Sequence, residues 1–281
     1  MYKVLENTCI NEGIYKLVIE APLISSKFLP GEFVIVMCYK DSERIPLTIA
    51  DTSDTTITCY YLVTGASTYE LSNIKEELYS VVGPLGNAST LINEKNKNIL
   101  LVGGGIGIAA ILPQAKYFSK YNNVDIVYGA KSKDKLILLD ELREYSKNLY
   151  ITTDDGSSGF KGNVVDYLEQ INNNYDVCVC IGPLVMMKYV SLYAKNNNLK
   201  CIVSLNPIMV DGTGMCGSCR VLINNEVKFA CVDGPEFDGD LVDFDNLIKR
   251  NNLYKTIEGR EYLRILEGDT HHGTCEGDIH E

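Results

Sequence analysis

Two rhythms of apolar residues divide the chain. Up to about residue 95, short runs at 15–20, 32–37 and 56–63 alternate apolar with polar positions or carry β-branched side chains. They are separated by turn-forming residues at Pro30-Gly31, 51–54, Thr64-Gly65 and Gly83-Pro84-Leu85-Gly86. Alternation gives a strand one buried and one exposed face, and frequent turns fold such strands back on their neighbours. A small antiparallel barrel is expected. From Asn98 the runs become continuously apolar, at 99–102, 124–128, 149–153, 177–181 and 201–205, with helix-length segments between them and a helical pattern at 109–120. Strands buried on both faces and spaced by helices form a parallel sheet.

After Asn206-Pro207 the chain is rich in glycine and cysteine up to Asp240, and a helical pattern at 258–266 precedes a polar tail. The expected fold class is therefore β + α/β: an antiparallel β-barrel over residues 1–96, a parallel-sheet nucleotide-binding domain over 97–206, a small cysteine-rich module over 207–250, and a C-terminal helix and tail over 251–281.

Composition narrows the function classes. Of 281 residues, 46% are hydrophobic and 22% charged, which excludes wholesale disorder. The longest apolar stretch, 99–113, holds four glycines and is shorter than the ~20 residues that cross a bilayer, so no membrane partner is expected. The first residues lack a basic start and an apolar export core, which points to the cytoplasm. With 26 basic against 37 acidic side chains the net charge is −11, a field that repels polyanions and makes nucleic acid an unsuitable partner. Ten cysteines in such a chain read as reduced thiols and metal ligands, so their spacing carries the information.

Gly103, Gly104, Gly105 and Gly107 lie directly after a buried strand and before a helix. Glycines there let backbone amides and the helix N-terminus approach a phosphate, although the same turn also serves tight strand-helix packing. The acidic residue that completes a dinucleotide fingerprint is missing, because the next strand ends Tyr128-Gly129-Ala130-Lys131. Asp154, Asp155, Gly182 and Pro183 follow later strands of the same sheet, at the edge where ligands bind.

Cys216, Cys219 and Cys231 follow Asp211 in the spacing Asp-x4-Cys-x2-Cys-x11-Cys. A plant-type [2Fe-2S] centre needs C-x4-C-x2-C and a fourth ligand, and here Asp211 stands at the first position. A structural zinc site fits the paired cysteines equally and stays open at this point. Cys178 and Cys180 share one face of a strand and read as core. Cys275 with His271, His272 and His280 reads as a disordered tail.

The order of parts resembles the ferredoxin-NADP reductase superfamily, and within it the electron-transfer subunits of the dihydroorotate dehydrogenase type, together with the small subunits of NADH-dependent reduced ferredoxin:NADP oxidoreductase and sulfide dehydrogenase. The resemblance rests on residues 30–34, 44–48, 65–68 and 83–86, the glycine turn, Gly182-Pro183 with Met186-Met187, and the cysteine loop. It implies FAD, NAD(H) and a [2Fe-2S] cluster. Pro46, Leu47 and Thr48 would lie beside the isoalloxazine ring, with Arg44, Gly83 and Gly86 in the same pocket and Gly65, Ser67 and Thr68 at the FAD pyrophosphate.

Gly103 to Gly107, Asp154, Asp155, Gly182 and Pro183 would face the nicotinamide nucleotide; Asp211, Cys216, Cys219 and Cys231 would hold the cluster. The resemblance also implies a larger partner subunit with flavin and [4Fe-4S] clusters, through which ferredoxin would be met. Two departures stand out: Arg44 is shifted by one place from the superfamily's arginine, and Ile181 replaces the cysteine before Gly-Pro. A zinc-stabilised nucleotide-binding regulator is the alternative from another class. Lys131 is the only basic residue near the end of the second strand before Lys133, which favours NADH over NADPH.

Overall fold

The computed structural model describes residues 1–171 and 174–266. The front of the chain forms β1 (Tyr2–Asn11), β2 (Ile14–Glu20), the short helix α1 (Pro22–Ser25), β3 (Phe33–Met37), β4 (Ile45–Thr52), β5 (Thr56–Leu62), α2 (Ala66–Asn73), β6 (Glu77–Leu78) and β7 (Ser80–Leu85). The strands make a nearly closed antiparallel barrel in the order β6-β1-β2-β5-β4-β3-β7. Alternation sets its inside: Leu17 and Ile19, Val34 and Val36, Leu47 and Ile49, and Ile57 and Cys59 meet in one buried cluster. Strand β4 runs on through Asp51 and Thr52, which the sequence reads as a turn, because both pair with β5 across a register shift. The turn expected at 65–68 is instead the start of α2, whose Thr68 hydroxyl accepts the amides of Thr64 and Gly65.

The second unit contains β8 (Asn98–Gly104), α3 (Ile108–Phe118), β9 (Asn123–Ala130), α4 (Leu139–Glu144), β10 (Asn148–Thr153), β11 (Phe160–Lys161), α5 (Val164–Leu168), β12 (Val177–Ile181), α6 (Leu184–Asn196) and β13 (Lys200–Ser204). Successive residues of β8 serve opposite cores: Ile99 and Leu101 join α3, while Leu100 and Val102 join α5 and α6. That two-sided burial is why the strands read as continuous apolar runs.

The cysteine-rich stretch adds the hairpin β14 (Arg220–Ile223) and β15 (Glu226–Phe229), then β16 (Glu236–Asp238), α7 (Phe244–Asn251) and α8 (Lys255–Leu266). Strand β16 pairs antiparallel with β13 and completes a sheet of order β11-β10-β9-β8-β12-β13-β16. The chain moves from β8 toward β11 and then crosses back to β12, so the strand order reverses between β8 and β12. Among the described residues no helix is long and apolar enough to cross a membrane. The histidines and Cys275 of the tail lie outside the described residues.

Candidate functional site

A cleft of ≈ 160 Å³ opens where the barrel, the sheet and the cysteine-rich stretch meet. Gly31, Phe33, Pro46, Leu47 and Thr48 line it from the barrel, Ala110, Gln114 and Ile181 from the α/β unit, and Ser204 to Pro207, Met209 and Pro235 from the connection beyond. Strand alternation explains the barrel side: Leu47 packs into the barrel core while its neighbours Pro46 and Thr48 remain outside it. The lining is mostly apolar with a few polar groups, suited to a largely apolar ring system.

The other expected barrel residues take different positions. Arg44 is exposed and makes no ion pair among the described residues. Gly65 precedes α2, where first-turn amides lack helical acceptors and suit an anion. The Ser67 hydroxyl donates to the Glu43 carboxylate, so a phosphate there would have to displace that acceptor. Gly83 and Gly86 are packing residues: a β-carbon on Gly86 would come within 2.9 Å of Pro235.

At the strand-order reversal the carboxyl ends of β8 and β12 face one crevice, the place where open α/β sheets bind ligands. Its glycines divide into two kinds. A β-carbon on Gly107 would lie 2.6 Å from the Ile181 carbonyl and 2.9 Å from Gly182, and one on Gly104 would strike Met186 and Pro183. Gly105, at φ +55°, borders open space, so it is the position where a ligand can reach the backbone. Gly182 and Pro183 form the opposite wall and lead into α6. Asp154 and Asp155 sit two strands away, after β10. The Asp155 carboxylate accepts the Ser157 hydroxyl at 2.6 Å and its amide at 2.9 Å, which hold its pKa below the usual range.

The cysteine loop brings its four expected ligands together as two pairs. Cys219 and Cys231 are buried with their sulfurs 3.1 Å apart. Asp211 and Cys216 form the second pair, the Asp211 carboxylate accepting the Cys216 amide at 2.8 Å. Asp211 also accepts the Thr213 amide at 2.6 Å, the main cause of its lowered pKa. The Ser218 amide is the main influence holding the Cys216 thiol low, and a Gly214 amide reaches Cys231, whose thiol burial pushes to about 12.

Two donor pairs with amides aimed at sulfur fit a centre of two metal ions, each taking two protein ligands. Among the described residues no three such donors converge closely enough for one ion, so the tetrahedral zinc alternative fits less well. Behind the sulfurs, Cys219 and Cys231 pack with Phe33 and Ile35 of β3. Gly212, at φ +76°, allows this close approach, since a β-carbon there would collide with Ile35 and Leu85.

Cys178, Cys180 and Cys201 are buried in the sheet core, and all nine described cysteines are free thiols. Burial pushes the Cys180 thiol well above its ordinary range. Three residues at the junction were given no site role by the sequence reading. Phe33 lines the cleft and shares a buried cluster with the cysteine pair; Gln114 and Glu236 are buried polar residues beside the cleft. The available signal for Gln114 was a polar residue directly after the six apolar positions Ile108 to Pro113.

Comparison with known proteins agrees with this arrangement. Residues 206–243 match the iron-sulfur cluster binding domain of dihydroorotate dehydrogenase B. The chain is 44% identical over 272 residues to a dihydroorotate dehydrogenase B (NAD(+)) electron transfer subunit homolog of Thermotoga maritima, covering 94% of this chain and 95% of that one. It is 34% identical to the dihydroorotate dehydrogenase B (NAD(+)) electron transfer subunit of Clostridium perfringens, covering 86% and 97%. A solved structure of NADH-dependent reduced ferredoxin-NADP oxidoreductase, described for flavin-based electron bifurcation, superposes with a TM-score of 0.87 at 44% identity, over 95% of this chain and 98% of that one. Phthalate dioxygenase reductase, at 16% identity and a TM-score of 0.60 over 79% and 85% of the two chains, shares the fold.

Proposed function

The chain belongs to the family of dihydroorotate dehydrogenase B electron transfer subunits and their homologues, and from that premise we propose that it carries electrons between NAD(H), FAD, one [2Fe-2S] cluster and a larger partner subunit. The observation that carries this reading is Phe33, which lines the cleft and belongs to the same buried cluster as Cys219 and Cys231. Bound flavin would supply the exchange between a two-electron hydride carrier and a one-electron iron-sulfur centre. The protein's part is placement. Pro46 and Thr48 shape the barrel wall of the cleft, Gly105 opens the sheet crevice to a dinucleotide, and the loop at 206–219 supplies Asp211, Cys216 and Cys219, with Cys231 from beyond β15, as the cluster ligands.

The wider proposal is a cytoplasmic heterodimer whose larger subunit bears flavin and [4Fe-4S] clusters and divides electrons from NADPH between ferredoxin and NAD. A charge of −11 disfavours an acidic ferredoxin on this chain, so the partner would receive it. An NADH-reductase role in a dihydroorotate or sulfide dehydrogenase complex is the second reading, favoured by the electron-transfer relatives and disfavoured by Asp211 at a position where a four-cysteine site has thiolate.

The test is purification under anaerobic conditions from the native source, with the absorption spectrum, acid-released flavin, iron content and the co-purifying chain determined together. FAD, two irons per chain and a larger iron-sulfur flavoprotein are expected. Recovery of FMN alone, or of zinc without flavin, would reject the reading. Faster diaphorase turnover with NADPH than with NADH would reject the NADH preference drawn from Lys131.

A further inference from the structure

A buried network beside the cleft has no part in the reading above. Glu236, the first residue of β16, is 6% exposed. Its Oε2 accepts the Ser89 hydroxyl at 2.9 Å and the Thr90 amide at 3.1 Å, both from the segment joining barrel to sheet. Its Oε1 accepts Nε2 of Gln114, from α3, at 2.7 Å. Gln114 is fully buried and lines the cleft, and its Oε1 has no hydrogen-bond partner among the described residues.

The amide cannot simply turn over. A carboxylate oxygen only accepts, so it requires the nitrogen of Gln114, and the carbonyl oxygen is fixed on the other side. An unpaired buried acceptor is unfavourable, which implies a donor supplied from outside the chain. The cleft's walls are mostly apolar, with Phe33, Leu47, Ala110, Ile181 and Met209 among them, so the donor that fits belongs to a largely apolar ring bearing an N–H at its edge.

We propose that Gln114, oriented by Glu236, presents its carbonyl oxygen to an N–H of the flavin's isoalloxazine head. The proposal rests on the flavin reading of the cleft. Gln114 is then a cofactor-binding residue contributed by the nucleotide half of the molecule, and Glu236 is a positioning residue. Isoalloxazine offers one such donor in every oxidation state, the imide N–H of its pyrimidine ring. It gains a second, on the central ring, when it is reduced.

The decisive variant is Glu236→Gln. The Thr90 amide must still find an acceptor, so the new carbonyl oxygen takes that place and the new amide nitrogen faces α3. Gln114 then has to turn its oxygen toward residue 236 and its nitrogen toward the cleft, reversing the polarity offered to the flavin while every buried group stays paired. Gln114→Met removes the acceptor at similar volume.

Deflavinated full-length protein and both variants are titrated with FAD, and the flavin potential is measured after reconstitution. If the imide N–H is the donor, both variants bind oxidised FAD roughly three- to tenfold more weakly, the usual scale of one lost hydrogen bond. If the central-ring N–H is the donor, Glu236→Gln lowers the potential, because the reversed amide disfavours the reduced ring. Loss of the Glu236 charge alone would leave oxidised FAD binding unchanged and raise the potential. Unchanged binding by both variants, with an unchanged or raised potential in Glu236→Gln, overturns the proposal. Should Gln114→Met fail to fold, Glu236→Gln decides alone. Failure of the unaltered apoprotein to take up FAD would instead refute the flavin reading itself.

Discussion

The crevice between β8 and β12 is walled by buried strands, whereas the cysteine loop at 206–219 spans two parts of the molecule with no regular structure of its own. In the crevice the binding groups are backbone amides held by a sheet with a core on each face, so the site is complete once the sheet has folded. At the proposed cluster site the binding groups are side chains, three from the loop and Cys231 from beyond β15; they must shed protons to bind metal, and four such donors brought together would repel one another until a cation joined them. Close packing of Gly212 and the cysteine pair on β3 anchors the loop from behind, but only what it holds can close it in front. The same chain thus has one site made by folding and another finished by its occupant.

The strongest way to break this contrast is to remove a thiolate. Cys219→Ser should lose the iron and the long-wavelength absorbance and make 206–219 the first region cut by protease, while NADH affinity changes by less than about twofold because the sheet is independent of it. Equal loss of NADH binding would mean that the two regions fold as one. At the next level, Asp211→Ala should release iron or make it labile, whereas Asp211→Cys should retain it with an altered paramagnetic signal and potential. Wild-type iron, signal and potential in both variants would move the fourth ligand elsewhere, with Asp233 and Asp238 the nearest rivals.

Glycine substitutions sharpen the other side. Gly107→Ala forces a β-carbon against the Ile181 carbonyl and should cost about 1–3 kcal/mol of stability, seen as a lower Tm. Gly105→Ala meets no neighbour and should cost only about 1–2 kcal/mol for its left-handed backbone, while reducing NADH affinity more than Gly107→Ala does. Full NADH affinity in the Gly105 variant would place the nucleotide away from this turn.

The smallest effect concerns the seam between the regions. Burial raises the Glu236 pKa above the ordinary carboxyl range, so the folded state holds this proton more tightly than the unfolded chain. The contribution of Glu236 to stability is therefore greatest below the ordinary carboxyl range and falls as pH rises from there through the raised folded pKa, after which its penalty is constant. In denaturant titrations over that range Glu236→Gln should therefore gain on the wild type as pH rises. A constant difference between the two would show that the carboxyl keeps an ordinary pKa.

Periodicity made the layout legible. Alternation at 15–20 and 56–63 marked barrel strands, since one face had to be buried. Continuous runs such as Val177–Ile181 marked sheet strands, since both faces had to be. The spacing of Asp211, Cys216, Cys219 and Cys231 marked a candidate metal-binding segment, because that chemistry is set by short sequence separations. Periodicity could not show that Thr68 caps a helix, that Gly103, Gly104 and Gly107 serve packing while Gly105 stays open, or that β16 leaves the cysteine-rich stretch to complete the sheet. Those facts depend on which atoms lie opposite one another across the fold. The same holds for Gln114 and Glu236, 122 positions apart: each is an ordinary polar residue in its local sequence, and only tertiary structure buries them together, satisfies the carboxylate from three directions and leaves a single carbonyl oxygen in need of a donor.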